Sequence, residues 1–136
     1  MVGREYLNQK PAIGSMDKSD LLRLEEALHQ FNQKEFYACH DLLEAMWMDT
    51  YYPEKTFYQG LLQIAVGLYH LGDRNFQGAM ILLGEGISRL RDFQPEYVGV
   101  NVTKLIQDSA ELLATIQKSE KDELDLHTLK LPIITF

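Results

Sequence analysis

His40 and Glu44 stand one helical turn apart, and Gln59, Gln63 and His70 recur on a second stripe further along the chain. An imidazole and a carboxylate at i, i+4 can pass a proton between them, serve as general base and acid, or supply two ligands to a metal. Carboxamides both donate and accept, so they can complete such a group without adding charge. The stripes Phe36-His40-Leu43-Trp47 and Gln59-Gln63-Val66-His70 both run i, i+4, i+7, i+11, which is one face of a helix. Polar groups therefore stand where a core face is expected. Each costs roughly 1–3 kcal/mol if it is buried without a partner.

Three uses of this constellation compete. It can be a buried hydrogen-bond network that fixes helix register. It can line a pocket walled by Trp47, Tyr51, Tyr52 and Tyr58. It can also be a catalytic or metal site built on His40 and Glu44. The metal reading is short of ligands, because one His and one Glu do not make three, and Asp41 points to another helix face. Carboxamides are poor ligands for transition metals. The pattern His40-Asp41-x-x-Glu44 is not H-E-x-x-H, and no second ligand pair appears on another helix. No metal and no cofactor is therefore expected. Gly84-Glu85-Gly86 lies inside a helical pattern and does not make a phosphate loop.

The elements that must position these groups follow from periodicity and punctuation. Asp17 or Ser19 can cap a first helix that runs to about Asn32. A second runs from about Lys34 to Met48, and Pro53 opens a third over roughly Glu54–Leu71. The third helix is apolar on nearly every side, as a central helix is. A fourth spans about Asn75–Asp92, and a fifth starts at an Asn101 cap and ends near Lys118. A short loop makes the second and third helices antiparallel neighbours. Pairing them about Tyr52 sets Glu44 within reach of Gln59 and Gln63, and His40 within reach of Gln63. The expected site is thus His40, Glu44, Gln59 and Gln63, flanked by Trp47 and Tyr58.

A weak internal repeat sets Phe31–Leu43 against Leu71–Leu83 at an offset of 40 residues. Each half gives a helix end, a tight turn, an aromatic, small residues and Leu-Leu. That is the grammar of tetratricopeptide-type hairpins, although their period is shorter and their tryptophan pattern is missing here. The expected organisation is a flexible arm over 1–17, a helical domain over 18–118, and an extended tail over 119–136 that packs on the domain or on a neighbouring subunit.

The chain has 136 residues, 46% hydrophobic and 24% charged, which suits one globular domain. Its formal net charge is −7 and no run of Lys and Arg occurs, so nucleic acid is not an expected partner. Met1–Asp17 lacks an apolar core and no stretch approaches ~18 uninterrupted apolar residues, so neither a signal peptide nor a membrane span is expected. With neither of these, the cytoplasm is the default location. Cys39 is the only cysteine and reads as a small core residue.

Several ordered motifs are now in view: Phe31-Asn32, Glu35-Phe36-Tyr37, His40-Asp41, Leu43-Glu44, Trp47, then Tyr58-Gln59-Gly60-Leu61, Gln63-Ile64-Ala65-Val66, Tyr69-His70 and Gly78-Ala79. Over roughly residues 20–105 they resemble the bacterial and archaeal family catalogued as domain of unknown function 309. The resemblance implies a compact all-α domain, usually free-standing and cytoplasmic, and it implies no activity. The family pattern is close to F-N-x-G-x-(Y/F)-(Y/F)-E-A-H-E-x-L-E-x-x-W. This chain keeps Phe31, Asn32, His40, Glu44 and Trp47 but carries Lys34 for the glycine, Ala38 for a glutamate and Asp41 for a glutamate. The missing carboxylate at 38 removes one proton carrier or ligand. The expectation is a non-enzymatic binding or assembly module that forms a homo-oligomer, with an acid/base or metal-dependent hydrolase on His40 and Glu44 as the alternative.

Overall fold

Asp17 caps the first helix: its carboxylate accepts from the Asp20 backbone N–H at 2.8 Å. The computed structural model describes residues 16–136, so most of the expected arm lies outside the described residues. Among these residues there are five α-helices: α1 Lys18–Asn32, α2 Phe36–Met48, α3 Glu54–Gly72, α4 Phe76–Leu90 and α5 Val102–Lys118. A single 3-10 turn, Arg91–Phe93, and a two-residue antiparallel hairpin of β1 Glu96–Tyr97 with β2 Val100–Asn101 join α4 to α5. Two helical hairpins, α1–α2 and α3–α4, are closed by α5, and α3 packs against both α2 and α4. The all-helical, hairpin-built expectation stands.

The repeat shows most clearly at the two hairpin turns. Lys34 and Arg74 both take left-handed backbone, φ 66° and φ 60°. The Glu35 N–H bonds the Gln30 carbonyl at 2.9 Å and the Asn75 N–H bonds the His70 carbonyl at 2.8 Å, with Lys34→Phe31 and Arg74→Leu71 bonds inside them. Each is a Schellman stop, which usually takes glycine at the left-handed position. The expected start of α2 near Lys34 moves to Phe36 for this reason. The expected ends of α4 contract likewise, because Asn75 caps the Gly78 N–H at 3.0 Å from outside the helix and the chain tightens after Leu90.

The core runs through α3, whose Phe57, Leu61, Ile64, Ala65 and Leu68 are buried beside Phe31, Leu43, Leu83, Leu90 and Leu105. Each of the leucine, isoleucine and phenylalanine side chains contributes roughly 1.5–3 kcal/mol by leaving water. Two glycines set the distance between α3 and α4. A Cβ on Gly60 would sit 2.8 Å from Leu90, and one on Gly86 would sit 2.9 Å from the Gly60 carbonyl oxygen. The backbones touch there, so a methyl group has no room.

Beyond α5 the chain makes 3-10 turns at Lys121–Glu123 and Leu126–Thr128, then extends. The extended part lies along its own helices. The Asn32 carboxamide donates to the Ile134 carbonyl and accepts from the Ile134 N–H, each at 2.8 Å, and the Asn101 N–H donates to the Thr135 carbonyl at 2.9 Å. Arg74 donates to the Lys121 and Leu124 carbonyls at 2.9 and 3.1 Å.

Candidate functional site

The buried stripe of α2 is Phe36, Cys39, Leu43 and Met46. Its centre lies nearly one residue, ~100° of helix rotation, away from His40. His40 and Trp47 therefore fall on the flank of the core, and Glu44 is exposed. The His40 side chain is 25% exposed, and its Nδ1 lies 3.2 Å from Asp41 Oδ1. That pair is close but misaligned, since Nδ1 makes no hydrogen bond. The neighbouring carboxylate belongs to Asp41, the residue expected to point elsewhere.

The register of α2 on α3 agrees with the sequence-based pairing. Tyr37 meets Tyr69 at a ring separation of 5.5 Å at one end of the hairpin. At the other, the Lys55 ammonium sits 4.2 Å over the Trp47 ring and donates to the Trp47 carbonyl at 2.8 Å. Burial and partners differ from the expected cluster. Gln63 is satisfied by α4, donating to Glu85 Oε1 at 3.1 Å and accepting from Arg89 Nη1 at 3.3 Å. Gln59 is half-buried and Tyr58 buried, with the Tyr58 hydroxyl donating to Met16 Sδ at 3.3 Å.

The expected buried exchange among His40, Glu44, Gln59 and Gln63 is corrected in this respect. Residue pairing about a loop fixes height along a helix but not which side a residue takes. Gly60, Gln63 and Gly67 form one stripe at i, i+3, i+7. The two glycines meet Leu90 and Leu83 of α4, so Gln63 must face α4 as well. The glycine spacing was the signal for this. The aromatic wall expected from Trp47, Tyr51, Tyr52 and Tyr58 does not assemble either. Tyr51 and Tyr52 are exposed, and Tyr52 borders a different hollow of about 480 Å³ with Phe93 and Tyr97.

Sequence reasoning passed over another concavity. A cleft of about 600 Å³ opens between the first turn of α2, the last turn of α3 and the tail, lined by Phe36, Tyr37, Leu68, Tyr69, Leu126 and Leu131, with Lys34 and Asp73 also on its lining. Tyr37 is 57% exposed and Tyr69 39%. Tyr37 also contacts His40 at 5.6 Å, and Tyr69 contacts His70 at 6.2 Å, so the two cleft tyrosines belong to a run of four rings whose histidines lie off the cleft lining. Tyr37 lies three residues before His40 on the same helix face, which is the one sequence cue that leads there.

Burial governs the titrations that move. It pushes the Cys39 thiol up to about 12, which makes it an inert core group and not a nucleophile. Burial, reinforced by the Asp20 and Glu54 carboxylates, pushes the Tyr58 hydroxyl above its usual range. Glu54 is itself buried and accepts from the Tyr97 hydroxyl at 2.8 Å. Among the described residues no three His, Cys, Asp or Glu side chains converge as a metal shell would require. No helix among them is long and apolar enough to cross a membrane.

An uncharacterized protein of Aquifex aeolicus (strain VF5) is 25% identical over 116 residues, 85% of this chain and 34% of that protein. The chain thus spans about a third of the length of the curated relative it matches. Residues 24–82, from within α1 to the middle of α4, match the family model described as a domain of unknown function, DUF309, which bears out over those residues the resemblance read from their motifs.

Proposed function

We propose that this domain is a non-catalytic binding module whose ligand surface is the cleft between α2, α3 and the tail. The observation that carries the reading is the half-exposed Tyr37–Tyr69 pair on an apolar cleft of about 600 Å³. Cavities of this size and lining hold the apolar or ring-bearing part of a ligand, and a few polar groups orient it. Exposed tyrosine rings offer faces for stacking at low entropic cost. Lys34, Glu35 and Asp73 supply the polar contacts. His40 adjoins this surface through its ring contact with Tyr37, whereas Glu44, Trp47, Tyr58, Gln59 and Gln63 lie off its lining. We assign the module to the cytoplasm and to homo-oligomers.

The test uses 8-anilinonaphthalene-1-sulfonate, which joins fused and single rings to an anion. Its binding should shift amide resonances of residues 34–38 and 68–73. Replacing Tyr37 and Tyr69 together by Ala should weaken it at least tenfold with an unchanged circular dichroism spectrum. Shifts confined to other surfaces, or undiminished binding to the double variant, would overturn the reading.

A second reading, acid/base catalysis by His40 and Glu44, draws on the Asp41 carboxylate 3.2 Å from the imidazole. A carboxylate there can orient an imidazole for proton transfer. The misalignment of the pair and the exposure of both carboxylates favour the binding module.

A further inference from the structure

Asn32 ends α1 and spends its whole carboxamide on one residue of the tail. Donating to the Ile134 carbonyl while accepting from its N–H reproduces the two bonds of a β-ladder pair, with a side chain in place of a strand. The Asn101 N–H continues the pattern at Thr135. All three bonds read backbone, so they are indifferent to the side chains and to the chain that supplies them. Side-chain selection comes from Pro132 and Ile134, which are buried, whereas Ile133, Thr135 and Phe136 are exposed. This is how a groove recognises an extended peptide: main-chain bonds for affinity, alternate pockets for specificity.

We propose that the groove built by Asn32 and Asn101 is a recognition site for an extended apolar segment, and that the partner it fits is residues 129–136 of a second copy of this chain, exchanged for the copy's own. The occupant is argued from fit, since the groove already matches this segment in backbone bonds and in both pockets. It is argued also from release. The 3-10 turns at Lys121–Glu123 and Leu126–Thr128 contain no fully buried residue, Arg74 pins the chain only as far as Leu124, and Leu126, Leu129 and Leu131 pack on the core only in part. The ten residues after Leu124, 125–134, can therefore swing out over a span of up to ~33 Å. Exchange preserves every bond, which is why swapping is a low-cost route to dimers. Exposed Leu21 and Leu22 line a hollow with Phe136 beside the docked end, and they form the apolar surface a second copy would cover. The exchanged segment carries Leu131 and its hinge carries Leu126, both on the lining of the tyrosine cleft, so exchange would complete that cleft from a second copy; the inference uses neither tyrosine.

Complementation between two full-length variants tests it. Ile134→Asp spoils the arm and leaves the groove, and Asn32→Ala spoils the groove and leaves the arm. Each alone should be monomeric by light scattering, and their mixture should form a heterodimer. A labelled peptide of residues 129–136 should bind the Ile134→Asp chain at least tenfold more tightly than the unmodified chain, whose own arm competes. Adding Asn32→Ala should lower that binding at least tenfold. Peptide binding without heterodimer formation would overturn the second copy as occupant and leave a different partner's segment. Absence of peptide binding would overturn the site. Should either variant fail to fold, hydrogen exchange of the unmodified chain decides. The Ile134 amide should exchange at least tenfold faster than those of Leu61 and Ile64, and equal rates would show the arm opening only with the whole domain and end the proposal.

Discussion

Lys34 and Arg74 occupy equivalent left-handed positions, yet they answer to different constraints. A non-glycine residue there costs about 1 kcal/mol, partly offset by a cation at the carbonyl end of a helix. No described side-chain bond holds Lys34, so Lys34→Gly should raise stability by a net gain below about 1 kcal/mol in urea denaturation. Arg74 also binds the Lys121 and Leu124 carbonyls and lies 5.1 Å over the Phe76 ring. Arg74→Gly should therefore give a net loss, visible as faster amide exchange at 121–126. His40 belongs to the same scale. With an exposed edge and no aligned hydrogen bond, His40→Ala should change stability by less than about 1 kcal/mol, where a fully buried network would lose roughly 1–3. A larger loss on chemical denaturation would restore the buried network.

At the scale of elements, the α3–α4 pair makes a sharp contrast between two glycines of one helix. A Cβ on Gly86 meets the Gly60 carbonyl and Ile64, whereas a Cβ on Gly84 meets nothing within 4 Å. Gly84→Ala should stabilise by up to about 1 kcal/mol through helix propensity. Gly86→Ala should destabilise by about 1–3 kcal/mol, because overpacking against backbone outweighs the same propensity gain. Thermal melts of the two variants check both signs. Helix existence, the central role of α3 and the Asp17 and Asn101 caps were legible because periodicity and capping are local. The β1–β2 hairpin was not. Its turn is Val98-Gly99 with φ 42° and 85°, and valine carries no local signal for left-handed backbone.

For the whole molecule, alkaline pH is the informative variable. Cys39 and Tyr58 both have folded-state pKa values raised by burial. The native chain therefore keeps protons that the unfolded chain gives up, so stability is full below about pH 9 and falls as pH rises toward about 12. Denaturation midpoints measured across that window should decline, and Cys39→Ala should flatten part of the slope. An unchanged slope in that variant would mean the thiol is not the group responsible. The tail belongs to this scale as well, since it ties α1, the α3–α4 turn and β2 together through Asn32, Arg74 and Asn101.

Periodicity, caps and the offset of 40 residues were enough to specify the helices, their hairpin pairing and even the register that brings Tyr37 to Tyr69 and Lys55 to Trp47. These depend on neighbours in the chain or on the length of one short loop. Which way each helix is rotated about its axis depends on what every other helix presents to it. That rotation turned Gln63 to α4, left Glu44 in water and opened the tyrosine cleft. The destination of the tail lay equally beyond local pattern, because Asn32 and Ile134 stand 102 residues apart and only the packed fold brings them together.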